Sequence, residues 1–278
     1  MVKIMVKTYT LSTIEQIVQI GKTLSKSWFR GHAQVYGNLQ PKIYREHYNF
    51  IREFRPIIEG DIIYNFQRQA PTFLTEIPKN DSEWLFLMQH HGAPTRLLDW
   101  SESVLVATYF AVSKHSDKDG ELWAMLPWEL NKKSGGFYGI PTPDDVSYKK
   151  LVSDAFNIVL GNEIKDKDPA AEYPLAVQPP LSFPRLVNQL STFTIHPLPN
   201  NQNQITNLLS EPEHLVRYII PSNRKDNILN HLSLLGIKRH TLFPDLDSLC
   251  ADLINEHNVV GYGPPQPPQC DGEYNPKK

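Results

Sequence analysis

The stretch of sequence that decides the fold is QHHGAPTRLLDW at residues 89–100, which leads directly into the apolar run VLVATYFA at residues 104–111. Two histidines, a glycine, a proline, an arginine, an aspartate and a tryptophan make this segment unusual for an ordinary core element. A polar, turn-forming cluster that feeds a buried element is how a rigid scaffold presents a site. We therefore expect residues 89–100 to contribute to a functional site.

Composition narrows the class of protein. A chain of 278 residues with 40% hydrophobic residues favours one domain with decorations around a sizeable core. The net charge of −2 gives no reason to expect non-specific binding to nucleic acid or to an anionic membrane. Two cysteines without metal-ligand spacing argue against a disulfide scaffold and a cysteine zinc site. No run approaches the roughly 20 apolar residues of a membrane span, and the first residues lack a signal-peptide core, so we expect a cytoplasmic protein without a membrane partner.

Hydrophobic periodicity predicts the secondary structure. Helices are predicted over residues 8–25, 49–68, 84–90, 101–112, 224–236 and 246–257, and strands over residues 28–31, 121–126, 189–195 and 216–220. Residues 131–180 are predicted as a long irregular excursion with one helix near 147–160. Strands and helices are segregated rather than alternating, which favours an α+β fold with a mixed or antiparallel sheet.

Several motifs, taken together, resemble the FRG domain family, which is named for an aromatic-Arg-Gly motif near its start. The matching pieces are Phe29-Arg30-Gly31, then residues 39–42, 89–100, 107–111, 185–189, 193–195 and 242–247. They follow the order of the family from residue 28 to about residue 255. The resemblance implies a single compact FRG domain over residues 1–258, followed by a Pro- and Gly-rich tail over residues 259–278.

A weaker resemblance, to the ADP-ribosyltransferase superfamily, bears on mechanism. An aromatic-Arg-Gly strand, a Ser- or Thr-bearing turn before a helix, and a polar residue that opens a third strand are similar to the layout of that superfamily. The resemblance implies an ADP-ribosyltransferase-like core in which Arg30 binds NAD and Thr95 or Ser101 shapes the nicotinamide pocket. Gln189 stands where the superfamily has a glutamate. A glutamine cannot accept a proton as a carboxylate does, so either transferase chemistry is lost or the acidic role passes to Asp99, Glu83 or Glu102.

The residues themselves suggest roles for the first motif and for the histidines. The guanidinium of Arg30 suits a phosphate, and Gly31 would let a ligand approach the backbone; the alternative for Arg30 is a structural ion pair with Asp99. His90 and His91 would guide the acceptor or cap the helix. Adjacent histidines point in different directions and have no third ligand at helical spacing, so we expect no metal.

The remaining candidates lie near residue 100 and on the predicted third strand. Arg96 and Asp99 either pair with each other or contact the ligand, with Asp99 as an acceptor for ribose hydroxyls. Trp100 either stacks on the nicotinamide or anchors the core. Gln189 is expected on a strand that faces the cleft, with Phe193 on the same face walling the pocket.

The first functional hypothesis is an NAD-dependent ADP-ribosyltransferase that acts on a macromolecule, RNA or protein. The resemblance implies a bacterial toxin or antiphage effector, which an antitoxin or another regulatory protein would control. NAD is the expected substrate. The alternatives are a non-catalytic nucleotide- or phosphate-binding module that uses Arg30 and Arg96, and a metal-independent nuclease that uses His90 or His91. For the transferase, we expect Arg30, residues 95–101 and Gln189 to converge on one cleft.

Overall fold

A computed structural model describes residues 6–45, 55–141, 149, 152, 173–179, 183–197 and 204–259. The helix predicted near residues 147–160 lies almost entirely outside these residues, and so does the predicted tail beyond Val259. The boundary predicted at residue 258 therefore stays a prediction.

The described strands form one mixed sheet. They are β1 (Lys7–Thr10), β2 (Trp28–His32), β3 (Leu97–Ser101), β4 (Gly120–Met125), β5 (Leu175–Val177), β6 (Ser191–Ile195) and β7 (Leu215–Ile220). Their order across the sheet is β1-β7-β4-β2-β3-β6-β5. Strands β1 and β7 run parallel, and the other neighbouring strands are antiparallel. The mixed sheet with its separate helices confirms the predicted α+β class.

The helices lie between and after these strands. They are α1 (Ile14–Thr23), α2 (Arg55–Gln69), α3 (Asp81–His90), α4 (Val104–Val112), α5 (Pro127–Gly135), α6 (Pro184–Asn188), α7 (Ile205–Leu208), α8 (Ser222–Leu234), α9 (Arg239–Leu242) and α10 (Leu246–Val259). The four-residue helices α7 and α9 were not predicted. Short 3₁₀ turns lie at Lys42–Tyr44 and Ala70–Phe73.

Four sequence predictions of secondary structure are wrong. The helix predicted over residues 101–112 begins at Val104, because Ser101 ends β3, a strand that was not predicted. The helix predicted over residues 8–25 begins only at Ile14, where Thr13 caps it, because residues 7–10 pair with β7 instead. The excursion predicted over residues 131–180 contains the end of α5 and the buried strand β5. The strand predicted from residue 189 starts at Ser191, since the preceding turn of α6 extends to Gln189.

Helix α4 lies against β2 and β4 at a distance that only glycine permits. A Cβ atom on Gly31 would lie 1.8 Å from the carbonyl oxygen of Ala107, and one on Gly120 would lie 2.4 Å from that of Ala111. Gly31 therefore permits the close approach of α4, and it also borders the pocket between β2 and β3, so its predicted approach to a ligand stays a prediction. The apolar side chains of α4 join those of α1 and α8 in one core cluster on this face of the sheet.

The sheet opens between β2 and β3. Strand β2 pairs with β4 at every residue from Trp28 to His32, but it pairs with β3 only at Phe29 and Ser101. Strand β3 in turn pairs with β6 along its whole length. The two central strands thus diverge from this pair, and the residues after Phe29 on β2 and before Ser101 on β3 face an opening in the sheet.

The close contact between Gly31 and α4 predicts that one added methyl group has a large effect on stability. We expect Gly31→Ala to lower the free energy of unfolding by about 3 kcal/mol, because α4 must move away from β2 to admit the Cβ atom. The matched control is Gly136→Ala, which has a left-handed backbone with φ of 71° but open space around it. The control should lose only about 1 kcal/mol. Denaturant unfolding of both variants provides the measurement, and equal losses would contradict this account of Gly31.

Candidate functional site

The opening between β2 and β3 forms a pocket of about 260 Å³. Part of its wall is apolar and comes from β2 and α4, through Phe29, Val106, Ala107 and Phe110. Arg30, Asp99, Ser101 and Gln189 also line it. The structure thus brings together residues from three segments that are far apart in the sequence.

The polar part of the pocket is strongly cationic. Four basic side chains line it, Arg30, Lys42, Arg45 and Arg185, whereas Asp99 is the one carboxylate among the described lining residues. Burial lowers the pKa of Arg30 to about 10, and the nearby Asp99 opposes this effect, so the guanidinium remains charged at neutral pH. An excess of cations with guanidinium forks is typical of sites that bind phosphate or diphosphate groups.

Arg30 spans the opening in the sheet. Its side chain is only 12% exposed, and its Nη1 donates a hydrogen bond to the backbone carbonyl of Asp99. Nη1 also lies 3.5 Å from the Asp99 carboxylate. The ion pair between Arg30 and Asp99, one of the two alternatives from the sequence, is therefore present. No hydrogen-bond partner for Arg30 Nη2 is found in the described part of the chain, and Arg30 lines the pocket.

A side-chain amide, that of Gln89, orients the Asp99 carboxylate. Gln89 Nε2 donates to Asp99 Oδ1 at 2.8 Å, and the hydroxyl of Thr95 donates to Gln89 Oε1. Thr95 also accepts a hydrogen bond from the backbone N–H of Leu97. Thr95 is buried and does not border the pocket, so the prediction that it walls the nicotinamide site is wrong. Thr95 instead positions the Gln89 amide that binds Asp99. Gln89 was not among the predicted site residues.

Arg96 has a different partner from the one predicted. Its Nη2 lies 2.8 Å from Glu59 Oε2 and its Nε lies 3.0 Å from Glu59 Oε1. Both side chains are almost fully buried. The predicted pairing of Arg96 with Asp99 and its predicted role in ligand binding are both wrong, because the Arg96 side chain extends to α2 and fastens that helix to the start of β3.

Ser101 and Gln189 border the pocket through a shared contact. Ser101 Oγ donates to the backbone carbonyl of Gln189 at 2.7 Å. The Gln189 side chain donates from Nε2 to the carbonyl of Leu242 at 3.0 Å. Gln189 lies in the turn after α6 rather than on a strand, and its amide fastens α9 to this turn. The strand placement predicted for Gln189 is therefore wrong, although its position at the pocket is as expected.

The aromatic rings of Trp100 and Phe193 belong to the core. Trp100 is 3% exposed, and its indole N–H donates to Thr194 Oγ1 at 3.1 Å. This arrangement matches the core-anchor alternative, and Trp100 also borders the pocket. Phe193 is 2% exposed, packs against Phe86 and does not line the pocket. The prediction that Phe193 walls the pocket is wrong because its ring lies in a separate apolar cluster.

The two adjacent histidines lie outside the pocket. The His90 ring stacks on Phe183 with a centroid distance of 4.9 Å, and burial, with His91 and Arg185 nearby, lowers the pKa of His90 to about 4. Its backbone carbonyl accepts a hydrogen bond from Arg185 Nη1. His91 instead borders a groove lined by α2 and the 3₁₀ turn at Ala70–Phe73. The structure thus does not bring the predicted acceptor-guiding histidines to the pocket.

A buried histidine and a buried glutamate behind Arg30 were missed. His32 Nε2 accepts a hydrogen bond from Arg30 Nε at 2.9 Å, and His32 Nδ1 lies 2.7 Å from Glu121 Oε1. Burial, reinforced by the charge of Arg30, lowers the pKa of His32 to about 4, so the ring is neutral and Nδ1–H donates to Glu121. The signal in the sequence was Glu121, an acid inside the apolar strand ELWAM.

The described residues contain no group of three or more His, Cys, Asp or Glu residues placed to hold a metal ion. No helix in the same part of the chain is long and apolar enough to cross a membrane. The expectation of a metal-free site stays a prediction.

The lowered pKa of His32 predicts how stability depends on pH. In the unfolded chain a histidine binds its proton near pH 6.5, whereas folded His32 does so near pH 4. Between these values the unfolded state binds more protons, so the stability that neutral His32 contributes above pH 6.5 is lost as the pH falls towards 4. We expect His32→Gln to reduce the slope of unfolding free energy against pH by up to about 1.4 kcal/mol per pH unit in this window. Parallel curves for the two proteins would contradict the assignment.

Comparison with known proteins gives one match. Residues 25–120 match the FRG domain, a segment that runs from before β2 to the start of β4. No curated protein and no solved structure matches the chain. The matched segment contains the aromatic-Arg-Gly motif and both strands that flank the pocket, whereas Arg185 and Gln189 lie beyond it. This match over residues 25–120 supports the resemblance to the FRG family that the sequence predicted.

Proposed function

We propose that this protein is an NAD-dependent ADP-ribosyltransferase that modifies a macromolecule, RNA or protein. The observation that carries the proposal is the pocket between β2 and β3, in which four cationic side chains surround one oriented carboxylate. A diphosphate carries two negative charges and matches the cationic wall. The carboxylate of Asp99 supplies the acidic group that Gln189 cannot.

The size of the pocket suggests how NAD would lie. A volume of about 260 Å³ is just below the range of about 300–1,000 Å³ typical of small-molecule sites. It suits the nicotinamide riboside and the adjoining phosphates, with the adenosine outside. In this arrangement the nicotinamide packs against Phe29 and Phe110, and the diphosphate binds Arg30 together with the other basic side chains.

The reaction breaks one bond and forms one bond at C1′ of the nicotinamide ribose. The bond from C1′ to the nicotinamide nitrogen breaks, and its electron pair leaves with neutral nicotinamide. A nucleophilic atom of the acceptor forms the new bond to C1′ and gives its proton to a carboxylate or to water. Positive charge develops on the ribose in between, so a fixed carboxylate next to it stabilises the transition state. Asp99 fits this role because Gln89 orients one of its oxygens and Arg30 lies near the other.

A non-catalytic module that binds nucleotides or phosphates is the second candidate. It is favoured by Gln189, whose amide is bound to Leu242 and offers no carboxylate at the third position. The nuclease alternative loses its support, because His90 and His91 do not line the pocket. A role as toxin or antiphage effector, with control by an antitoxin or another regulatory protein, rests on the superfamily resemblance alone.

Arg30 is the first test of the proposal. We expect Arg30→Ala to reduce transfer of label from biotinylated NAD to a cell lysate by roughly 100-fold or more, because a planar donor to the diphosphate is lost. Arg30→Lys should restore little, since an ammonium group cannot replace the bidentate fork. The control is Arg224→Ala, an exposed arginine on α8 outside the pocket. Label that disappears with nuclease identifies an RNA acceptor, and label that disappears with protease identifies a protein. Transfer by Arg30→Ala at the parent rate would contradict the proposal.

Asp99 separates the enzyme from the binding module. We expect Asp99→Asn to bind NAD with nearly unchanged affinity but to transfer ADP-ribose about 100-fold more slowly, because Asn keeps an acceptor for Gln89 but has no charge. Calorimetry measures the affinity, and release of nicotinamide measures the reaction. A parent protein that binds NAD yet releases no nicotinamide in the presence of lysate would favour the binding module instead.

A further inference from the structure

Behind the pocket, Arg30 is followed in a row by two buried side chains, His32 and Glu121, that no motif identified. Arg30 and His32 alternate along β2 and share one face of it, and His32 is directly opposite Glu121 on β4. Glu121 is fully buried and His32 is 6% exposed. The row leads from the interior of the sheet to the pocket, and its only member at the pocket is Arg30.

The hydrogen bonds along this row have a direction. The carboxylate of Glu121 accepts from His32 Nδ1–H, and His32 Nε2 then accepts from Arg30 Nε–H. Burial raises the pKa of Glu121, but the hydrogen bonds from His32 and from the backbone of Tyr36 outweigh burial and lower that pKa below its ordinary value. The anion thus lies at the buried end of the row and the cation at the pocket end, with a neutral ring between them.

The neutral ring leaves the guanidinium free for a ligand. A direct ion pair with a buried glutamate would use two N–H groups of the guanidinium, as Arg96 does with Glu59 through Nε and Nη2. His32 binds only the Nε–H group of Arg30. Nη1 then donates to the carbonyl of Asp99, and Nη2 of this pocket-lining side chain has no hydrogen-bond partner among the described residues.

Glu121 also fixes the loop after β2. The backbone N–H groups of Tyr36 and Gly37 donate to its carboxylate at 3.1 and 3.3 Å. The Tyr36 ring lies edge-on to His32, and the guanidinium of Arg45 lies 5.8 Å from the centre of that ring. Arg45 is a second cation of the pocket wall. One buried carboxylate is therefore connected to two of the four cations.

We infer that Glu121 and His32 are positioning residues that hold Arg30 with its terminal nitrogens directed at an anionic ligand. The inference deepens the proposed function and rests on it only for the identity of the anion. Without His32 the guanidinium loses its fixed orientation, and Arg30 then binds a diphosphate with a larger loss of side-chain freedom.

The test monitors the orientation of the Arg30 guanidinium by NMR and requires no enzymatic reaction. The Nε–H group of Arg30 gives a ¹H–¹⁵N signal, which is assigned by its absence from the Arg30→Lys spectrum. We expect His32→Leu to accelerate solvent exchange of this proton by roughly tenfold or more and to weaken binding of inorganic pyrophosphate by a similar factor. His32→Gln supplies one donor and one acceptor, and its values should lie nearer to those of the parent.

A second histidine provides the matched control. His240 Nδ1 lies 2.8 Å from Asp252 Oδ2, which is also a pairing of a histidine with an acid, but it does not line the pocket. His240→Leu should leave the Arg30 signal and pyrophosphate affinity unchanged. If His32→Leu does not fold, Glu121→Gln decides the question, because loss of the charge should still speed the exchange about threefold.

Parent-like exchange in a folded His32→Leu protein, or in Glu121→Gln when His32→Leu does not fold, would overturn the positioning role. Failure of the parent protein to bind pyrophosphate is a separate result. It would remove the diphosphate from the proposed function while the exchange measurement still decides how Arg30 is held.

Discussion

The end of main-chain pairing between β2 and β3 is the constraint on which the rest of the structure depends. Beyond Phe29 and Ser101 the two central strands diverge, and backbone groups there lose their ladder partners. A polar group left without a partner in the interior is costly. Arg30 meets this demand by donating to the carbonyl of Asp99 across the opening. A cation is thus built into the sheet at the point where the sheet has a gap.

The helices around this gap are positioned by their packing against the sheet. Gly31 and Gly120 let α4 lie directly on the strands, so the apolar wall of the pocket is part of the main core. Glu59 and Arg96 fasten α2 to the start of β3 from the other side. The basic side chains that complete the pocket come from the turn after β2 and from α6. Rigid elements therefore surround the site, which favours binding without large rearrangement.

The sequence predicted the class of the fold and much of the site, because those parts depend on local signals. The aromatic-Arg-Gly motif and the polar segment before α4 placed Arg30, Asp99 and Ser101 at one cleft, and all three line the pocket. Side-chain partners were harder to predict. Arg96 and Asp99 are neighbours in sequence, but Arg96 bonds to Glu59, and that pairing depends on where α2 packs.

The functions of His32 and Glu121 were hidden for the same reason, since the two become opposite only when β2 and β4 pair. Residues 7–10 likewise gave no reliable local signal. Their strand depends on pairing with β7, more than 200 positions later in the chain. Tertiary contacts of this kind override local propensity.

A crystal structure of the protein with NAD tests the central claim most directly. The account predicts density for the diphosphate within hydrogen-bond distance of Arg30 Nη2, with the nicotinamide ribose beside Asp99, between β2 and β3. NAD bound at another surface, or the same pocket filled by a ligand that leaves Arg30 uncontacted, would contradict it.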